Sequence, residues 1–179
     1  MFREDKTTQM AARLLMLAGG RMPSKTLMLM LYAADREMLV RRGKPISYDR
    51  WLMTERGPVL GATLDLIRLE ADQPSYWSNH ILMEGDELVL KADPGNDDSS
   101  RAEDAVVDQV FREWGGIDQW DEAELIRRFP ECNNSGAAPQ TISYQKVLQI
   151  NGYSQEEATD VVENIEMQDD VYRLLSTVR

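Results

Sequence analysis

The sequence predicts a mainly α-helical (α+β) domain, compact and carrying one small antiparallel β-hairpin. Three observations lead there. Apolar residues recur at helical spacing in several separate stretches. Only one stretch, from Ile81 to Leu90, is apolar on both sides of a two-residue turn dipeptide, Gly85-Asp86. Finally, every residue from Leu27 to Ala34 is apolar or Tyr, so a helix there has no solvated face and must lie inside the fold. A chain of 179 residues is a normal length for one domain and buries a core without metal or disulfide staples.

Taken in order, Met10, Leu14 and Leu17 fall at i, i+4, i+7, with Ala11, Leu15 and Ala18 widening the stripe, which predicts a helix from about Thr7 to Ala18. Gly19 and Gly20 stop it. Pro23 and Ser24 start the central helix, with Ser24 as its expected N-cap, and Gly43 ends it. Residues 45–56 read as irregular with some strand. Pro58 fits the first position of the next helix, whose Leu60, Leu64 and Ile67 repeat at helical spacing to about Glu70. Tyr76-Trp77 falls in a loop, where the rings need either a core pocket or a partner. In the hairpin, Met83 is expected opposite Leu88, Ile81 opposite Leu90 and Glu84 opposite Glu87. Asp93 to Ser100 has turn formers and acids but no apolar residue. Residues 1–179 therefore read as a single domain: an N-terminal half, 1–92, an acidic linker, 93–100, and a C-terminal helical half, 101–179. Ser100 with Glu103 is a capping box ahead of Val107, Val110, Phe111 and Trp114, and Asp121 with Glu124 repeats the device. Pro130 ends that helix and Cys132 to Pro139 is loop. Further helices run from about Ser143 to Ile150, from a cap at Ser154 and Glu157, and over the tail from Val171 to Val178.

Hydrophobic residues make up 42% of the chain and charged residues 28%, a globular composition. Lys plus Arg is 20 against 31 Asp plus Glu, a net charge of -11. That balance argues against nucleic acid, whose phosphates need a basic face, and suits a protein partner with a basic surface. The single Cys132 forms no internal disulfide, no signal-peptide pattern opens the chain, and no apolar run approaches the roughly 20 residues of a membrane span. The expected setting is the reducing cytoplasm, with no membrane. Phosphate-loop, dinucleotide and zinc signatures are missing, so no cofactor is expected. His80 and Cys132, a hairpin entrance and a loop residue, make a poor catalytic dyad. Asp35, Glu37 and Asp49 make a poor metal site, because the interleaved arginines repel a cation. The charges at Asp35, Arg36 and Glu37, on the second half of an apolar helix, are read in two ways. They join an internal ion-pair network with Arg41, Arg42, Asp49, Arg50 or Arg56, or they meet a partner.

The run LMLYAADRE (29–37), the step G-x-P-I-x-x-D (Gly43 to Asp49) and the GPV at Gly57 to Val59 together resemble the Panacea, or SocA-like, antitoxin domain family of bacteria, phages and mobile elements. The match is specific in the first third of the chain, while the C-terminal half shows only the family's general layout. The resemblance implies a non-catalytic, antitoxin-like protein that neutralises a cytoplasmic toxin by direct binding, with delivery of that toxin to a AAA+ protease as a second route. It places the partner-binding residues at Tyr32, Asp35, Arg36, Asp49 and Arg56. Two alternatives stay open: a phage or mobile-element protein that binds and counters a host defence system, and a small-molecule enzyme without a recognised motif.

Overall fold

An apolar helix with no solvated face can be satisfied only by being surrounded, and that is the plan of this chain. The computed structural model describes residues 1–55, 57–69, 74–115, 124, 127–132 and 139–177. Helix α1 (Glu4–Leu17) packs on α2 (Ser24–Arg42), which is buried from Leu27 through Arg36 and again at Met38 and Leu39. Gly43 closes α2 in the left-handed conformation, φ 67°, donating its N–H to the Leu39 carbonyl, as a glycine C-cap does. Around α2 stand α1, α5 (Arg101–Trp114), α6 (Tyr144–Ile150) and two small antiparallel sheets. Helices α3 (Gly61–Leu69) and α4 (Tyr76–His80) and a long C-terminal helix, α7 (Gln155–Thr177), complete the described helices.

The predicted hairpin is present as β4 (Ile81–Glu84) and β5 (Glu87–Leu90), in the expected register, with Met83 opposite Leu88 and Glu84 opposite Glu87. What periodicity does not show is that β1 (Arg21–Pro23) adds to β5 as a third strand. Three residues are too few to carry an alternating pattern. This strand moves the helix start: Pro23 occupies the cap position without a side-chain cap, and Ser24, expected as N-cap, is the first helical residue. Its N–H instead donates to the Asp86 carbonyl in the hairpin turn.

The second correction concerns Pro58. It lies in β3 (Gly57–Leu60), paired with β2 (Trp51–Thr54), and α3 begins three residues later. Proline fits an edge strand as well as a first helical turn. Here β2 runs between β3 and β6 (Gln140–Thr141), so β3 is an edge. Tyr76-Trp77 is likewise helical rather than loop: Ser75 and Ser78 form a capping box, and the Trp77 ring is fully buried.

In the C-terminal half, the Ser100–Glu103 capping box opens α5, Ser143 caps α6, and Ser154 and Glu157 exchange backbone bonds at the start of α7. The tail, expected to be helical, is the end of α7, which runs without a break through Thr177. The Asp121 device lies outside the described residues. One hydrophobic cluster draws Leu14 from α1, Leu31 from α2, Ile81 from β4, Val107 from α5 and Val147 from α6. Leu31 has no solvent exposure. Leu31→Ala should cost about 2–5 kcal/mol, read from urea denaturation. Leu31→Asp, which leaves a charge in the core, should abolish the cooperative melting transition.

Candidate functional site

The chain between α2 and β2 has no regular structure, yet Ile46, Ser47 and Asp49 are buried. Buried amides need partners, and two carboxylates supply them. Asp35, on α2 and wholly buried, accepts the Ile46 and Ser47 N–H groups at 2.8 Å each, the Trp51 indole Nε1–H at 3.0 Å and the Ser47 hydroxyl. Asp49 reaches forward to the start of α3, accepting the Ala62 N–H at 2.7 Å, the Thr63 N–H at 2.9 Å and the Thr63 hydroxyl at 2.8 Å. It acts as a helix N-cap supplied from a remote part of the sequence, satisfying amides that the helix cannot and placing negative charge at the positive end of its dipole. Between the two anchors Tyr48 takes φ 53°, a left-handed conformation uncommon for a bulky residue and worth about 1–2 kcal/mol of strain. Ser47 held on Asp35, Asp49 held on α3 and the Tyr144 hydroxyl donating to the Asp49 carbonyl fix it there.

At the next residue of α2 after Asp35 the charge is paired. The Arg36 guanidinium meets Glu131 through Nε at 2.5 Å and a second nitrogen at 3.1 Å, and the Tyr32 hydroxyl donates to the same carboxylate at 2.7 Å. Rings close the site: Tyr32 packs edge-on to Trp51 and to Phe129, each at 5.2 Å, and Phe129 lies beneath Arg36. Burial, followed by the neighbouring Glu131 charge, pushes the Cys132 thiol up to about 12. It is thus a packed thiol rather than a nucleophilic thiolate.

Tyr32, Asp35, Arg36 and Asp49 are therefore brought together inside the protein, each bonded internally, and none presents a contact surface in this arrangement. Arg56 lies outside the described residues. Of the internal ion pairs expected with Arg41, Arg42, Asp49, Arg50 or Arg56, the one between Glu37 and Arg41 is present, while Asp35 and Arg36 take other partners. Arg36 takes Glu131, distant in sequence and marked by no motif, while Asp35 takes neutral donors. Glu37, the neighbouring charge, pairs along the helix with Arg41 near the surface. Among the described residues there is no group of three or more His, Cys, Asp or Glu side chains that could hold a metal ion, and no helix is long and apolar enough to cross a membrane.

A cleft of about 530 Å³ lies between the start of α2, the β2–β3 hairpin and α3. Its walls are Met28, Leu29, Val59, Leu64 and Ile67, with Lys25, Glu55, Arg68 and Met83 at the rim. Asp49 positions α3, one wall of this cleft, and Asp35 positions the segment leading into β2, the other.

Burial raises the Asp35 carboxyl to about 6, against the pull of its hydrogen bonds from Ser47, Trp51 and Ile46. A carboxyl raised above its unfolded value binds its proton more tightly in the folded chain. Its favourable contribution is full below about pH 4 and is lost as pH rises through 6, amounting to about 3 kcal/mol. The non-titrating Asp35→Asn variant, which also turns an amide N–H₂ toward the donors, should be less stable than wild type at every pH. The gap should be about 2–2.5 kcal/mol wider at pH 4 than at pH 7 in paired urea denaturations. A pH-independent gap would contradict this. For the neighbouring pair, Arg36→Met should cost about 3–5 kcal/mol by leaving Glu131 buried without its cation, and Glu131→Leu in the same chain should restore most of it.

The family model for the Antitoxin SocA-like, Panacea domain matches residues 27–131. No curated protein and no solved structure matches the chain. The matched span opens at the buried start of α2 and closes at Glu131, the partner of Arg36, so it contains both carboxylate anchors and the whole ion-paired network. With more than half of its length matched, the chain belongs to the SocA-like antitoxin family, as a Panacea domain.

Proposed function

We propose that this protein neutralises a toxin protein in the cytoplasm by binding it directly, without catalysis, as an antitoxin does. Membership of the SocA-like antitoxin family carries the proposal. The chemistry of the chain is consistent with it. Its buried charges are committed to internal bonds, and its net charge of -11 attracts a basic partner over long range. The apolar cleft beside α2 offers toxin side chains a pocket whose walls the Asp35 and Asp49 anchors hold in place. Sequestration is favoured over delivery to a AAA+ protease, because it requires only a complementary surface.

The test is co-expression with the protein of the neighbouring reading frame, first shown to be toxic when expressed alone, scored by growth and by the abundance of that toxin. Wild type should restore growth while the toxin remains present; growth restored by disappearance of the toxin would indicate proteolytic delivery instead. Val59→Gln combined with Met83→Gln, at the cleft, should keep the melting temperature within about 2–4 °C of wild type and lose rescue. Arg36→Ala should lose stability and rescue together. Purified protein that turns over a small substrate with no partner present would overturn the proposal.

A further inference from the structure

We propose that the outer face of the second half of α7 docks a cationic amphipathic helix of a protein partner. This rests on the reading of the chain as a protein binder and names a second surface for it, apart from the cleft. The inner face of α7 is identified along its length. Ala158 is fully buried, Ile165 is 6% exposed, Val161 and Val162 pack against the core, and Tyr172 lies under the Arg3 guanidinium, 3.2 Å from its ring centroid. Asp169 on that side is engaged by Arg173 and by the amino terminus.

On the opposite side Met167, Val171, Leu174 and Leu175 fall at i, i+4, i+7 and i+8, with 63%, 52%, 70% and 67% of their surface exposed. Other exposed large apolar residues, such as Met16 and Ile150, are scattered and less exposed, at 44% and 42%. A continuous stripe of this kind marks a contact surface. Its first half differs: there the outer face carries Glu156, Asp160 and Glu163, so the apolar stripe is confined to the last turns.

The charges beside the stripe decide what covers it. Glu163, Glu166 and Asp170 form an exposed acidic row along one flank, at i, i+3 and i+7, and the other flank carries the uncharged Asn164 and Gln168. In paired helices, residues flanking an apolar seam select the partner by charge. An acidic row selects Lys and Arg. A second copy of this chain would bring the same acidic row and another net charge of -11, and the one cation beside that row among the described residues, Arg173, is already engaged by Asp169. An anionic lipid surface is disfavoured by the same row. The stripe lies beyond the family-matched residues 27–131, outside the shared framework.

The test uses two labelled synthetic helices of about twenty residues, sharing one apolar pattern, with Lys in one and Glu in the other at every remaining position. Each is titrated by fluorescence anisotropy into the full chain at about 150 mM salt, where long-range attraction is largely screened. The wild-type chain should bind the Lys peptide at least about ten-fold more tightly than the Glu peptide. Leu174→Gln with Leu175→Gln, which removes no charge, should weaken Lys-peptide binding about ten-fold or more at an unchanged melting temperature. Equal binding by wild type and variant would show bare acidity at work and overturn the proposal. So would binding of neither peptide, a lowered melting temperature, or a wild-type dimer in sedimentation that the variant abolishes. Growth rescue is scored separately. A chain that rescues growth but fails here keeps its antitoxin reading and loses this surface, and one that passes here without rescuing does the reverse.

Discussion

Two buried carboxylates hold this fold in register, because an irregular stretch of backbone has to pass through its interior. Between the end of α2 and the start of β2 the chain forms no helix or strand, and Ile46 and Ser47 are buried away from water. Asp35 takes the Ile46 and Ser47 amides and Asp49 takes those of Ala62 and Thr63. Each unpaired amide would cost about 1–3 kcal/mol, comparable to the cost of burying Asp35 as an ion. The strained Tyr48, the direction of α3 and the seat of Trp51 against Tyr32 all follow from these two attachments.

The same geometry gives the charges of the Asp35-Arg36 motif a reason to sit on an apolar helix. Asp35 supports a loop, and Arg36 with Tyr32 ties α2 to the turn at Pro130–Cys132 through Glu131. A motif that encodes internal attachments specifies a framework and leaves the outside of the molecule free. The two apolar surfaces described above differ accordingly. The cleft is built largely from the matched region, whereas the α7 stripe lies wholly beyond it.

Elements with a strong local signal were legible in the sequence: the all-apolar α2, the Gly85-Asp86 hairpin and the capping boxes at Ser100 and Ser154. What escaped depends on contacts distant along the chain. Strands β1 and β6 are too short to alternate and exist because β5 and β2 have free edges to pair. Pro58 carries the local mark of a helix start, but strand pairing places it in β3 and Asp49 supplies the cap that α3 needs. Arg36 announced a charge in the core without announcing its partner, since nothing near Glu131 in sequence points back to α2. The α7 stripe became readable only once the inner face of that helix was fixed by Arg3 and Tyr172.

The role of the carboxylates is tested most directly by native-state hydrogen exchange on the free wild-type chain, followed at single amides. Ile46 and Ser47 belong to no helix or strand and would ordinarily exchange as a surface loop does. Held by Asp35, they should instead exchange as slowly as the amides of Leu31 and Ala34 in the core of α2, opening only with the whole domain. Exchange of Ile46 and Ser47 at the rate of the exposed turn at Gly85, with α2 still protected, would show that the Asp35 attachment does not hold the loop in solution.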